Sequence, residues 1–236
     1  MQPTFNPWIG YFDLIDYVDT FVFLDTVQLN QQSWQTRNKL KIQNKEFLFS
    51  IPIQKNKAKK DLLIKDTLIN FNKFDFRKKL YKTLEQNYKK AKYFNEVNDF
   101  IKELVLFNTE YLSDYNINII TKLAKKLDID TKIIVLSKTK YSSDLAKGDL
   151  VLDICKYFNA DEYISPLGSK EYLNKNIESF YKQNIEVYYQ HFIHPQYEQL
   201  GNEFIPYMGI FDILYNIGFV ATKQLIVKNR CYKKAT

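Results

Sequence analysis

The chain has 236 residues, 45% of them hydrophobic, and a formal net charge of +7, which suits one large domain with a sizeable core. No run reaches the ~18 to 20 apolar residues of a bilayer span, and the N-terminus lacks the basic and apolar regions of a secretory signal, so a cytoplasmic protein is expected. Two cysteines, Cys155 and Cys231, exclude a disulfide framework, and with only two histidines no metal centre is expected.

Behind Pro3 and Pro7, "GYFDLIDYV" (10–18) reads as a short helix and "TFVFLD" (20–25) as a buried strand ending in an acid. "NKLKI" (38–42) and "EFLFSIPI" (46–53) suggest a hairpin around "QNK". From 72 to 127 the apolar spacing is helical. Alternation follows: strand 132–137, helix 149–158, strand 162–166, helix 170–182, strand 185–190, and a last helix over 207–219. Strands alternating with helices of this length imply crossovers and a parallel sheet. The expected architecture is α/β: one domain over 1–236 with an open, mostly parallel Rossmann-like sheet, interrupted at about 39–127 by a β-hairpin and a helical sector.

The charge is uneven. Residues 37–92 carry 17 Lys and Arg against 5 Asp and Glu, a balance of +12. Such a sector attracts phosphates, nucleic acid or anionic headgroups. A lysine-rich chain also scatters solvated lysines, and "KNKAKKD" (55–61) reads equally well as a solvated loop. Against that background the three arginines, Arg37, Arg77 and Arg230, mark positions needing a planar fork, and Arg37 in "WQTRNKLKI" is the first candidate.

Ligands in open α/β sheets bind beyond the carboxyl ends of the strands. That rule nominates "QPTFNPWIGY", "LDTVQL" and "SPLGSKEY". In the first, Gln2 and Tyr11 offer polar groups, Trp8 a stacking face, and Gly10 a close backbone approach at a helix start that favours an anion. Packing of a chain terminus by Pro3, Pro7 and Trp8 explains the same turn. The layout from Phe5 to Tyr11 resembles nucleotidyltransferases whose H-x-G-H motif binds ATP, with Trp8 and Tyr11 in place of the histidines.

In the second region, Asp25 suits sugar hydroxyls or an amine, Arg37 a phosphate or carboxylate, and Gln28, Trp34 and Asn38 complete a polar loop. Its plain alternative is a solvated connection. Ser165, Gly168, Ser169 and Lys170 precede a helix in a turn that suits a phosphate, although capping by Ser169 explains it too. His194, fixed by Pro195 and followed by Tyr197 and Gln199, is the candidate general base, since imidazole titrates near neutral pH. A lone histidine is more often a structural hydrogen-bonding group.

Taken in order, "QPTFNPWIGYFDLIDYVDTFVFLDTVQ", Trp34, Arg37 and Asn38, "YISPLGSKEYL" and "HPQYEQ....FIP...IFDILYNIG" resemble the WbqC-like family from Gln2 to Gly218. The resemblance implies a tailoring enzyme of O-antigen and other surface polysaccharides. Its implied reaction transfers an acyl or aminoacyl group, such as glycyl, to the amine of a nucleotide-linked amino sugar. ATP, an acyl-CoA or an aminoacyl-tRNA would each serve as donor, with tRNA drawn to the basic sector 37–92. On this reading His194 or Asp25 is the base, Arg37 and the turn at Gly168 hold the diphosphate, and Trp8 or Trp34 stacks on a ring. The alternatives are nucleotidyl or adenylyl transfer and a non-catalytic sugar-nucleotide-binding protein. Members of the family place a short apolar strand before the Gln-Pro, where Met1 stands here, and commonly have Gly and Ser where this chain has Pro166 and Gly209.

Overall fold

Helix α1 (Ile9–Tyr17) starts two residues behind Pro7, buries Ile9, Phe12, Leu14 and Ile15, and hands the chain to β1 (Thr20–Phe23). The structure is a computed structural model that describes residues 1–30, 33–54, 62–72 and 74–235; the basic loop expected at 55–61 lies outside them. Strands β2 (Arg37–Ile42) and β3 (Lys45–Ser50) form the expected hairpin. Gln43 and Asn44 between them both take positive φ, 49° and 61°, the turn geometry whose twist matches that of paired strands.

The helical sector resolves into α2 (Phe76–Tyr88), α3 (Phe94–Val105) and α4 (Leu112–Lys126). Each buries residues three or four apart, such as Leu80, Leu84 and Tyr88, which is why the pattern was readable. Asp75 caps α2 by accepting from the Arg77 amide at 3.0 Å, and the Arg77 guanidinium grips the same carboxylate at 2.9 and 3.1 Å. That grip, chiefly the side-chain hydrogen bond, lowers the Asp75 pKa against a smaller opposing effect of burial.

Next come β4 (Lys132–Val135), α5 (Lys147–Tyr157), β5 (Glu162–Pro166), α6 (Lys170–Leu173), α7 (Ile177–Tyr181), β6 (Glu186–Gln190), α8 (Ile210–Lys228) and β7 (Tyr232–Lys234). The single helix expected over 170–182 is broken by a 3-10 turn at Asn174–Asn176. The last helix starts later and runs further than expected, because the chain kinks at Gly218, φ 75°, and then continues helical to Lys228. Helix α8 is therefore long and apolar enough by composition to cross a membrane, a feature that ending the helix at 219 concealed. Of its most apolar window, 61% is buried inside the protein.

The fold is mixed α/β with parallel strand pairs. β1 lies parallel to β4, β5 lies parallel to β6, and β7 adds antiparallel to β6. The open Rossmann-like sheet expected from the alternation is not what the described strands form: they make three separate ladders, β1-β4, β2-β3 and β5-β6-β7. Strands β1 and β5 instead line a slot of about 550 Å³, with Thr20, Phe21 and Val22 from one and Glu162, Tyr163 and Ile164 from the other. At its end Met1 donates its amino group to the Val22 carbonyl at 2.8 Å and accepts from the Leu24 amide at 2.8 Å, a one-residue parallel bridge. Burial there holds the Met1 amino group down to a pKa of about 5.

The core runs from α1 and β1 through the hairpin to α2, α3, α4 and α8, and a smaller cluster around Phe180 and Val187 lies beneath β5 and β6. Arg230 straps the C-terminal tail to α1, with Nε on Asp13 and Nη2 on Asp16 at 2.7 and 2.6 Å. The Tyr232 hydroxyl and the Gln190 amide add two more donors to buried Asp13, each at 2.7 Å.

Candidate functional site

Beyond the carboxyl ends of β1, β4 and β5 lies a crevice of about 940 Å³. Leu24, Val27, Leu150 and Val151 give it an apolar floor, and Gln2, Thr26, Gln28, Ser137 and Tyr141 supply polar groups. Lys65, Lys147 and Lys175 also line it, with Glu171 as the acid among the lining residues.

Local chemistry sets each wall. Asp25, just past β1 and 2% exposed, accepts the Ser137 amide at 3.0 Å and the Ser137 hydroxyl, so the ends of β1 and β4 are tied together. The Asp25 carbonyl accepts the Lys65 amide at 2.8 Å, which brings the 64–66 turn onto the same end. Opposite, Gly148 in the first turn of α5 lets Asn176 pack against the helix: a Cβ there would lie 2.6 Å from Asn176 Oδ1. Asn176 Nδ2 donates to Asp149 at 2.6 Å, and this contact brings Lys147 and Lys175 to one rim.

Three of the residues singled out from sequence, Gln2, Gln28 and Gly168, line the crevice, and Asp25 stands directly behind Ser137. Ser165 is fully buried in β5, where its hydroxyl donates to the Pro166 carbonyl at 3.3 Å. Lys170 opens α6 with its ammonium 5.8 Å from the centre of the Tyr189 ring. Asn38 is structural: its Nδ2 donates to the Phe5 and Asn6 carbonyls, each at 2.8 Å, pinning the opening turn to β2.

The remaining residues gather elsewhere. The Trp8 ring covers Gly10 so closely that a Cβ there would meet it at 2.3 Å, so the approach expected of a ligand is made by tryptophan. Trp8 stacks on His194 at 5.8 Å and 7°, and both rings touch Tyr207. His194 Nε2 accepts the Tyr207 amide at 2.9 Å, and burial lowers its pKa below the usual imidazole value. Tyr11 spends its hydroxyl on the Gln2 carbonyl at 2.8 Å, and burial raises its pKa well above that of a free phenol. Trp34 is exposed, and Arg37 makes no ion pair among the described residues.

Tyr197 and Gln199 belong to a buried network that the sequence did not signal. Asp212, in the first turn of α8, accepts from Tyr197 Oη at 2.7 Å, Tyr88 Oη at 2.8 Å and Gln199 Nε2 at 2.9 Å. Lys41, 5% exposed, caps the cluster by donating to Gln199 Oε1 at 3.3 Å and to the Glu203 carbonyl. Burial raises the Asp212 pKa against these donors and Lys41. Ser137, Glu171 and the three crevice lysines were missed as well. In a chain with 34 Lys and Arg no single lysine stands out, so only the placement of the loops finds them. Among the described residues no group of His, Cys, Asp and Glu is arranged to hold a metal ion.

The model of the WbqC-like protein family matches residues 2–224 of the chain. An uncharacterized protein of Mycobacterium tuberculosis, Rv1507c, is 29% identical over 229 residues, covering 95% of each chain. No solved structure matches.

Proposed function

This chain belongs to the WbqC-like protein family, and we propose that it is a transferase of surface-polysaccharide assembly that attaches an acyl or aminoacyl group to the amine of a nucleotide-linked amino sugar. The observation that supports this most is the crevice. It lies beyond the carboxyl ends of parallel strands, the end at which open α/β sheets take nucleotides, and it combines apolar residues with amides, hydroxyls and cations, as a charged sugar conjugate requires.

In amide formation the sugar nitrogen attacks the acyl carbon, the donor's leaving group departs and the amine loses a proton to a base. Glu171 is the carboxylate lining the crevice, and we assign it that proton. Both Asp25 oxygens are engaged by Ser137, so Asp25 positions the strand ends. His194 stands among Trp8 and Tyr207 with Nε2 already accepting a hydrogen bond, and it is given no step.

The test is incubation of the purified protein with UDP-linked amino sugars and each donor class in turn: acyl-CoA, ATP with an amino acid, and aminoacyl-tRNA. Mass spectrometry should detect an acylated sugar nucleotide, and Glu171→Gln should lose the product while still binding the sugar nucleotide. Binding with no product from any donor would make the protein a sugar-nucleotide-binding module. Release of pyrophosphate from ATP without an acylated sugar would favour nucleotidyl or adenylyl transfer.

A further inference from the structure

The crevice carries two chemically different sets of groups. Lys65 comes from the turn after residue 63, Lys147 from the start of α5, and Lys175 from the turn between α6 and α7, so three separate segments each send one lysine to the same cavity. None of the three forms an ion pair among the described residues, whereas lysines elsewhere, such as Lys39, Lys122, Lys223 and Lys234, do. Among the lining residues three lysines stand against one carboxylate, Glu171, a positive balance. Ser142 and Ser143 add hydroxyls, and Ala146, just before α5, gives that helix no side-chain cap.

The same crevice carries an amide pair. Gln35, 6% exposed, donates its Nε2 to Gln2 Oε1, and Gln2 lines the crevice. The pair is anchored from beneath: Asn116 Nδ2 donates to the Gln35 carbonyl at 2.9 Å and to the Pro3 carbonyl at 3.1 Å. The Gln2 oxygen is taken by Gln35, and among the described residues the Gln2 nitrogen has no partner, so it is the group left to donate to an oxygen of the ligand. Gln35 Oε1 is itself buried without a partner among the described residues.

We propose that the crevice binds a nucleoside diphosphate sugar: Lys65, Lys147 and Lys175 hold the diphosphate, and Gln2, oriented by Gln35, donates to a hydroxyl or carbonyl oxygen of the sugar. The proposal rests on the reading of the crevice as a sugar-nucleotide site. Lysines from three segments suit a diphosphate because its charge is spread over several oxygens, and each ammonium reaches one without a fixed fork. Gln35 is a positioning residue that acts through Gln2.

The test is calorimetric titration of the full chain with inorganic pyrophosphate, UDP and UDP-N-acetylglucosamine. Pyrophosphate should bind, more weakly as salt rises, and each of Lys65→Gln, Lys147→Gln and Lys175→Gln should weaken it by about tenfold. Gln2→Ala and Gln35→Leu should leave pyrophosphate and UDP unchanged and remove the added affinity of UDP-N-acetylglucosamine over UDP. A merely structural role for Gln35 would weaken all three ligands together. Pyrophosphate that fails to bind, or binds the three lysine variants as tightly as the parent, overturns the diphosphate site. Equal affinity for UDP and UDP-N-acetylglucosamine in the parent overturns the role of Gln2. Lysine-dependent pyrophosphate binding with no binding of either nucleotide keeps the anion site and removes the sugar-nucleotide reading, so the two failures are told apart.

Discussion

Asp25 and Ser137, 112 residues apart, lock the ends of two parallel strands together through one carboxylate that accepts both the amide and the hydroxyl of the serine. Replacing Asp25 with Asn removes the charge and turns one acceptor into a donor that faces a donor. The expected cost is about 1 to 3 kcal/mol, read as a lower urea midpoint. Ligand affinity should fall with it, since Ser137 lines the crevice. A variant that unfolds at the parent's midpoint yet loses turnover would instead make Asp25 the proton acceptor.

The scarce arginines differ in what holds them, and that difference is measurable. Arg230 spans Asp13 and Asp16, and Asp13 is fully buried. A lysine reaches one carboxylate, so Arg230→Lys should cost about 1 to 3 kcal/mol and Arg230→Ala about 3 to 5. Arg37→Lys, at a position with no ion pair among the described residues, should stay within about 0.5 kcal/mol of the parent. Equal losses at both positions would show that Arg37 needs its fork as Arg230 does, as the scarcity of arginine suggests.

What the sequence revealed followed the strength of each local signal. Helices α2, α3 and α4 carry clean apolar periods, and the hairpin carries two strand-like runs about a short turn, so all four were legible. Gly218 reads as a helix end, although the helix kinks there and continues; β7 is three residues long, too short to register. The rule of strand ends pointed to Gln2, Gln28 and Gly168, which line the crevice. It also drew in Trp8, Tyr11 and Asn38, whose groups are spent on packing and hydrogen bonds inside the opening turn. Lys41 and Asp212 pair across 171 positions through Gln199, a relation that no local pattern encodes.

Stability should fall as the solution is acidified from pH 8 to pH 5. Burial lowers the Met1 amino group from 8.0 to about 5, so in that window the unfolded chain binds a proton that the folded chain refuses. His194, also lowered by burial, acts in the same direction, while Asp212, raised by burial, acts oppositely in the carboxylate range. The Met1 contribution amounts to about 4 kcal/mol at most, at about 1.4 kcal/mol per pH unit. Urea melts at pH 8 and pH 5.5 of the parent and of Nα-acetylated protein check it. Acetylation keeps an N–H for the Val22 carbonyl and removes the titration, so the acetylated form should lose most of the pH dependence; matching profiles would place the amino group in water.

The slot between β1 and β5 explains why the parallel strands fall into separate ladders. β1 bonds β4 along one edge, where the Asp19 carbonyl accepts the Lys132 amide. Among the described residues its other edge, carrying the Val22 carbonyl and the Leu24 amide, bonds Met1 alone. A strand running into Met1 alongside β1 would continue that bridge and present its far edge to β5, joining β4, β1, the added strand, β5, β6 and β7 into one sheet. Five apolar β-formers, valines and isoleucines, added before Met1 should therefore raise the melting temperature by several degrees, at about 2 to 4 °C per kcal/mol for a chain of this size. Five Gly and Ser residues should not. If the two extensions melt together, the slot does not accept a strand, and the separate ladders are the finished sheet.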